Sequence, residues 1–249
     1  MIEILNPEIT EIPRLRELWK EAFSDEDGFL DLFFEKVFTP DHALVLKNDG
    51  KTVSALYIID CEFSGQKIGY VYAVATDKAE RGQGFATHLL EYSDKYMRSC
   101  GYSAALLRPA NKKLFDFYIN LGYDILLKKD QFEVEAEGIC EIDKTDRKEF
   151  ARKRRELAPK GAVLQDGSAL ALLEDKLYCG EGFLLVAEKR NTLLYAEEFL
   201  GDRKKAAAIT AALGCRTGIF NSVGNARPFA LLKNYNLSEI PTYFGIAVE

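Results

Sequence analysis

The sequence predicts an α/β fold of the α+β kind, a mixed central sheet flanked by helices. Three observations carry that expectation. Apolar residues alternate from Val53 to Phe63, and Ser64-Gly65-Gln66 turns that strand into another from Ile68 to Thr76. Helical spacing governs Leu15, Leu18, Trp19, Ala22 and Phe23 before this pair, and Phe85, Leu89, Tyr92, Tyr96 and Cys100 after it. The second of these helices separates the strand ending at Thr76 from an apolar strand, Ser103 to Leu107, and such a crossover makes the two strands parallel.

The other elements fall around that frame. Ile2 to Leu5 is a short strand. Ser24 and Asp25 offer an N-cap to a helix carrying Phe29, Leu30, Phe33, Phe34 and Val37. Ala43 to Leu46 is a strand, followed by the hairpin turn Asn48-Asp49-Gly50. Asn111 caps a helix with Leu114, Phe115, Phe117, Tyr118 and Leu121 on it, and Gly122 ends it. Two last strands lie near Asp124 to Leu127 and Gln131 to Ala136. A polar stretch, Gly138 to Asp146, then divides the chain into domains of residues 1–137 and 138–249.

The second half reads as helices over Thr145 to Leu157, Ser168 to Tyr178 and Arg203 to Leu213. A hairpin of Phe183 to Glu188 and Thr192 to Leu200 turns on Lys189-Arg190-Asn191. Short apolar stretches follow at Ile219 to Asn221, Phe229 to Leu232 and Thr242 to Val248. Helices, hairpin, crossover helix and strand come in the same order in both halves.

Composition narrows the function. The formal net charge of -6 opposes a general attraction to nucleic acid or to an anionic membrane. The basic residues Arg147, Lys148, Arg152, Lys153, Arg154 and Arg155 are interleaved with Asp146, Glu149 and Glu156, as on a solvated helix face. No apolar run reaches the ~20 residues that span a bilayer. Met1-Ile2-Glu3-Ile4-Leu5 lacks the basic and apolar regions of a signal peptide, so a cytoplasmic location is expected. Cys61, Cys100, Cys140, Cys179 and Cys215 form no CxxC pair and read as reduced thiols. His42 and His88 have no partner at metal-ligand spacing, so no metal is expected.

The informative segment is Arg81-Gly82-Gln83-Gly84-Phe85-Ala86, between a strand and a helix. First-turn amides lack intrahelical partners and carry the positive end of the helix dipole, which makes this junction an anion site. Gly82 and Gly84 remove side chains where a phosphate approaches the backbone, and Arg81 adds a charged donor. A plain tight turn would use the same residues. The segment is neither a Walker A loop nor GxGxxG.

This segment matches the Gln/Arg-x-x-Gly-x-Gly/Ala motif, and with the order of elements around it residues 1–137 resemble the GNAT N-acetyltransferase family. The resemblance implies the GNAT acyl-CoA N-acyltransferase fold, with acetyl-CoA as co-substrate. It implies that amides of Arg81, Gly82, Gln83, Gly84, Phe85, Ala86 and Thr87 hold the CoA pyrophosphate. It also implies that the backbone of Val74, Ala75 and Thr76 pairs with the pantetheine arm as an added strand would. The segment from Asn111 to Tyr123, with Phe117-Tyr118 and Gly122-Tyr123, resembles the family segment that supplies a general acid, here Tyr118. A core tyrosine on an amphipathic helix is the other role open to Tyr118, and Asn111 is read as a helix cap.

The implied activity is transfer of an acetyl group to an amine by direct attack in a ternary complex. The acceptor is a small molecule or a lysine or N-terminal amine, and the acidic charge tilts it towards a cation. The alternative is an acyl-CoA-binding sensor without turnover. Asp60 and Glu62 are read as solvated strand-edge carboxylates, Tyr70 and Tyr72 as cleft-lining or sheet-packing rings, and His42 as a surface residue. The second half has no such motif: Asp202 stands where a phosphate would bind. It resembles the degenerate copy of tandem GNAT proteins, including the enhanced-intracellular-survival type. In that type a terminal carboxylate serves as base, and Glu249 is the matching candidate.

Overall fold

A computed structural model of the chain describes residues 1–246. In order, the elements are β1 (Ile2–Leu5), α1 (Ile12–Phe23), α2 (Asp27–Lys36), β2 (Ala43–Asn48), β3 (Lys51–Phe63), β4 (Gln66–Thr76), α3 (Phe85–Ser99), β5 (Ala104–Leu107) and α4 (Lys112–Asn120). They continue as β6 (Ile125–Glu135), β7 (Asp143–Lys144), α5 (Arg147–Leu157), β8 (Ala162–Val163), β9 (Leu177–Gly180), β10 (Phe183–Arg190), β11 (Leu193–Gly201), α6 (Ala206–Ala212), β12 (Thr217–Asn234) and β13 (Tyr243–Phe244). The chain divides into two compact units. The first is Met1–Ile125 together with Leu231–Ser238, and the second is Leu126–Ala230 with the residues from Glu239 onward.

In the first unit β1 to β4 pair in sequence, each antiparallel to the last. β5 lies parallel to β4, as the crossover helix requires. The last position is taken by the end of β12, whose Leu231–Asn234 runs antiparallel to Leu107–Ala104. Apolar alternation buries Leu44, Leu46, Leu56, Ile58 and Val71 against Leu89, Leu90 and Met97 of α3. Each such side chain contributes roughly 1.5–3 kcal/mol on burial. An aromatic layer joins α1, α2 and the strands: Trp19 stands 4.6 Å from Phe33 and 5.0 Å from Tyr57, ring centre to ring centre. The one polar atom of the Trp19 ring is satisfied, since Nε1 donates to Asp25 at 2.7 Å.

In the second unit β9, β10 and β11 form an antiparallel meander, and β12 lies parallel to β11. β7 pairs with β9, β6 with β12, and β13 with β8. Its core gathers Phe183, Phe199, Phe220 and Ile209, with Phe132 stacked on Phe220 at 5.5 Å. Arg154 of α5 is fully buried, and Glu198 accepts from it at 2.7 and 2.9 Å.

Four features differ from the sequence expectation. Glu26, not Ser24 or Asp25, is the N-cap of α2; Ser24 closes α1 and Asp25 accepts the Trp19 Nε1 bond. The stretches at 219–221 and 229–232 belong to one strand, β12. Ser168–Lys176 forms 3-10 turns rather than an α-helix. Ala169 to Leu173 are all buried, a continuous apolar run with no exposed stripe for helical periodicity to mark. The two strands expected between Asp124 and Ala136 are one strand, β6. Its Lys128-Lys129-Asp130 looks like a turn in sequence. Instead, the Lys129 ammonium lies 3.5 Å over the centre of the Phe229 ring, and Asp130 accepts the amides of Asn225 and Ala226 at 3.0 and 3.1 Å.

Candidate active site

The site is built where β4 outruns β5. Their ladder covers only Ile68–Tyr70 and Ala104–Leu106, whereas β4 stays paired with β3 as far as Thr76. Beyond Tyr70, no strand among the described residues pairs with the edge of β4 turned away from β3. Val74, Ala75 and Thr76 lie on this stretch. Ala75 and Thr76 are fixed from the other side, since Ser54 Oγ donates to Ala75 O at 2.7 Å and lies 2.9 Å from Thr76 Oγ1.

A β-bulge interrupts the β3–β4 ladder here. Tyr72 faces Tyr57 and Ala75 faces Ala55, so Ala73 and Val74 together oppose one residue, Leu56. Ala73 has φ +48°, a left-handed conformation that costs an alanine about 1–2 kcal/mol. An alanine in an apolar strand carries no signal of a bulge, because the bulge arises from register with β3.

The loop after β4 is held at its start by Asp77. Its carboxylate accepts Arg14 at 2.5 Å, Lys51 at 3.1 Å and the Ala79 amide at 3.0 Å. The amide bond leads these donors in holding the carboxyl down at about 2. Gly82 and Gly84 both take left-handed φ, +84° and +82°, and a Cβ on either would meet nothing within 4 Å. The surface over these two residues is open to a bulky group. Gly84 is the N-cap of α3, and the first helical bond runs from His88 N to Gly84 O at 3.0 Å. The amides of Phe85, Ala86 and Thr87 therefore precede the helical ladder. Arg81 bends back, donating from Nε to Thr76 O at 3.0 Å, and Gln83 donates to Glu80 at 2.7 Å. Both are exposed, whereas Phe85 is buried beneath the loop.

Tyr118, on α4, is buried in the same apolar cluster as Phe85 and Leu107, against which Val74 packs. Burial pushes its phenol up to about 12. Asn111 caps α4, accepting the Leu114 amide at 3.2 Å. The Tyr70 and Tyr72 rings lie 5.6 Å apart, tilted against one another, and Tyr72 stands 5.5 Å from Trp19, in the aromatic layer under α1.

Asp60 is more than a solvated edge carboxylate. Tyr102 donates to it at 2.5 Å, and His42 Nε2 and Lys67 Nζ lie at 3.4 and 3.3 Å. Burial raises its pKa, but His42, Tyr102 and Lys67 outweigh that and hold it at about 2. His42 is thus a member of this cluster as well as a surface residue. Glu249, the terminal-carboxylate candidate, lies outside the described residues. Among the described residues no His, Cys, Asp and Glu group is arranged to hold a metal, and no helix is long and apolar enough to cross a membrane.

Residues 3–126 match the family model described as an acetyltransferase (GNAT) domain. No curated protein matches the chain in sequence. Solved structures of similar fold include a GCN5-related N-acetyltransferase from Anabaena variabilis, at TM-score 0.73 and 13% identity over 95% of this chain and 73% of that one. Another, from Kribbella flavida, gives 0.70 and 16% over 94% and 72%. A third, from Sphaerobacter thermophilus, gives 0.56 and 11% over 97% and 98%. Identities this low speak for the fold alone. Family match and fold agree that residues 3–126 form a GNAT acetyltransferase domain, with the fold of acyl-CoA-dependent acetyltransferases.

Proposed function

We propose that the chain is an acetyl-CoA-dependent N-acetyltransferase acting on a primary amine. The carrying observation is the edge of β4 beyond Tyr70, which no strand among the described residues pairs, leading directly to the left-handed glycines at the start of α3. An extended pantetheine arm suits that edge, with Val74, Ala75 and Thr76 offering backbone bonds. The pyrophosphate suits the amides from Arg81 to Thr87, where the open surface over Gly82 and Gly84 admits it.

In this reading the amine attacks the thioester carbon in a ternary complex. The new C–N bond forms as the C–S bond breaks, and the electron pair leaves on sulfur. A strand amide near the bulge stabilises the negative charge that grows on the carbonyl oxygen. Tyr118 gives its proton to the thiolate, and its raised pKa keeps it protonated at neutral pH. The attacking amine must arrive neutral and shed a proton afterwards. The acidic net charge favours a cationic acceptor, a small molecule or a lysine or N-terminal amine.

The second half, read from sequence as residues 138–249, is proposed to be a degenerate GNAT-like copy without an acyl-CoA site. Its meander, crossover helix and parallel strand repeat the order of the first unit. Two features speak against a second site. β11 and β12 pair to Ala196 and Phe220 and, after a register shift, meet again at Phe199 and Ser222, whereas β4 and β5 do not meet again after Tyr70 and Leu106 among the described residues. Asp202 caps the turn that leads into α6, donating no positive charge there and accepting the Lys204 amide at 3.0 Å.

The test is thiol release from acetyl-CoA with a panel of amines, beside calorimetric titration of CoA. Turnover with at least one amine, and binding weakened by Arg81→Glu, is the expected result. CoA binding with no turnover on any amine would make the protein an acyl-CoA sensor. Failure to bind CoA would remove both readings.

A further inference from the structure

The chain supplies Leu231–Ser238 to the first unit from far downstream. Beyond its pairing with β5, the amides of Tyr235 and Asn236 donate to Ser103 O at 3.0 and 3.1 Å. Lys233 in this segment makes two further bonds. Its ammonium donates to Asp94 Oδ2 at 2.5 Å and to the Leu121 carbonyl at 2.6 Å. Asp94, on α3, is itself fixed by Tyr235, whose hydroxyl donates to Oδ1 at 2.6 Å.

Leu121 is the C-cap of α4. The last carbonyls of a helix lack intrahelical donors and carry the negative end of its dipole, so an ammonium there satisfies both. Tyr118 lies one turn before this point. Tyr123 follows it, donating its amide to Tyr118 O at 3.1 Å and standing 6.0 Å from the Tyr118 ring, edge to face. The Lys233 ammonium lies 5.5 Å from the centre of the Tyr123 ring. A Cβ on Gly122 would stand 3.1 Å from Lys233 Cε, so the missing side chain leaves the lysine its path. α4 has only nine residues, and Tyr118 is its one buried side chain. A helix that short is marginal by itself, and its position depends on such ties.

We propose that Lys233 is a positioning residue for Tyr118, bridging Asp94 of α3 to the Leu121 carbonyl of α4 and so fixing where the Tyr118 hydroxyl stands. The inference rests on Tyr118 as the proton donor. A displacement of about 1 Å at a reacting group costs on the order of 100-fold in rate, so a tie at the end of this helix is felt in catalysis.

The test uses Lys233→Met, which keeps the aliphatic stem, and Lys233→Arg, each alone and combined with Tyr118→Phe. Hydrogen exchange over residues 112–123, acetyl-CoA affinity, kcat and KM are measured on the full chain. Lys233→Met is expected to speed exchange in α4 about tenfold and lower kcat about tenfold, with affinity for acetyl-CoA within about twofold. Lys233→Arg restores most of the loss. In the Tyr118→Phe background Lys233→Met lowers kcat no further, because both changes act through one hydroxyl. Unchanged exchange in α4, or additive losses in the double variant, overturns the proposal. If the unaltered protein acetylates no amine, the acetyltransferase reading has failed, and exchange in α4 alone decides whether Lys233 positions the helix. Should Lys233→Met not fold, Asp94→Ala removes the α3 end of the bridge while leaving the Lys233–Leu121 bond, and faster exchange in α4 with a lowered kcat is again the expected result.

Discussion

Arg14 Nη2 lies 2.5 Å from Asp77 Oδ2, so α1 is tied to the loop that follows β4. Asp77→Asn is expected to lower stability at pH 7 by about 2 kcal/mol, the scale of a charge-assisted hydrogen bond. The folded pKa, about 2, lies below the ordinary 3.8. The stabilisation is therefore present above about 3.8 and lost as pH falls through about 2. Urea unfolding at pH 7 and pH 2.5 measures the difference, and equal stabilities at pH 7 would refute it.

Gly82→Ala and Gly84→Ala are each expected to cost about 1–2 kcal/mol, since a left-handed alanine is disfavoured. Contact with neighbours adds nothing, because an added Cβ meets no atom within 4 Å. Both variants should bind CoA more weakly than the parent. A calorimetric titration that returns the parental affinity for both would detach the loop from CoA recognition.

Tyr118→Phe is expected to lower kcat about 100-fold with little change in KM for acetyl-CoA. It also alters stability in alkali. The phenol's pKa rises from 10.0 to about 12 on folding. Stability is thus fully present below about pH 10 and falls as pH rises towards about 12, by about 2–3 kcal/mol. The phenylalanine variant lacks this loss. Chemical unfolding at pH 8 and pH 11.5 compares them, and parallel declines would contradict the assignment.

Glu198→Gln is expected to destabilise the second unit by about 3–5 kcal/mol. It leaves the fully buried Arg154 with Asp166, at 3.5 Å, as its one remaining charged partner among the described residues. Tyr243 loses a charged acceptor at 3.2 Å as well. A thermal melt that matches the parent would show that the buried pair contributes nothing.

What the sequence made legible was local. The strand ending at Thr76, the glycines at 82 and 84 and the start of α3 are consecutive, so one window of residues contains the whole argument for an anion site. Asn111 as the cap of α4 is legible for the same reason. The bulge at Ala73 is not, because it depends on pairing with β3. Lys233 and Asp94 lie 139 positions apart, and Phe229 to Leu232 in isolation reads as any short apolar strand. The cluster around Asp60 draws His42, Lys67 and Tyr102 from separate parts of the chain, and no spacing announces it. Lys129 and Asp130 look like a turn until Phe229 and the amides at 225 and 226 are placed against them.

The late origin of Leu231–Ser238 bears on how the protein is born. A ribosome adds roughly 5–20 residues per second, so β5 waits on the order of ten seconds after Ile125 emerges before its second neighbour is made. During that interval the nascent chain exposes an open strand edge and an Asp94 without its lysine. Synthesis of the first unit is complete only when synthesis of the second nearly is. A premature stop anywhere before codon 231 therefore disables the half of the protein that had already been translated.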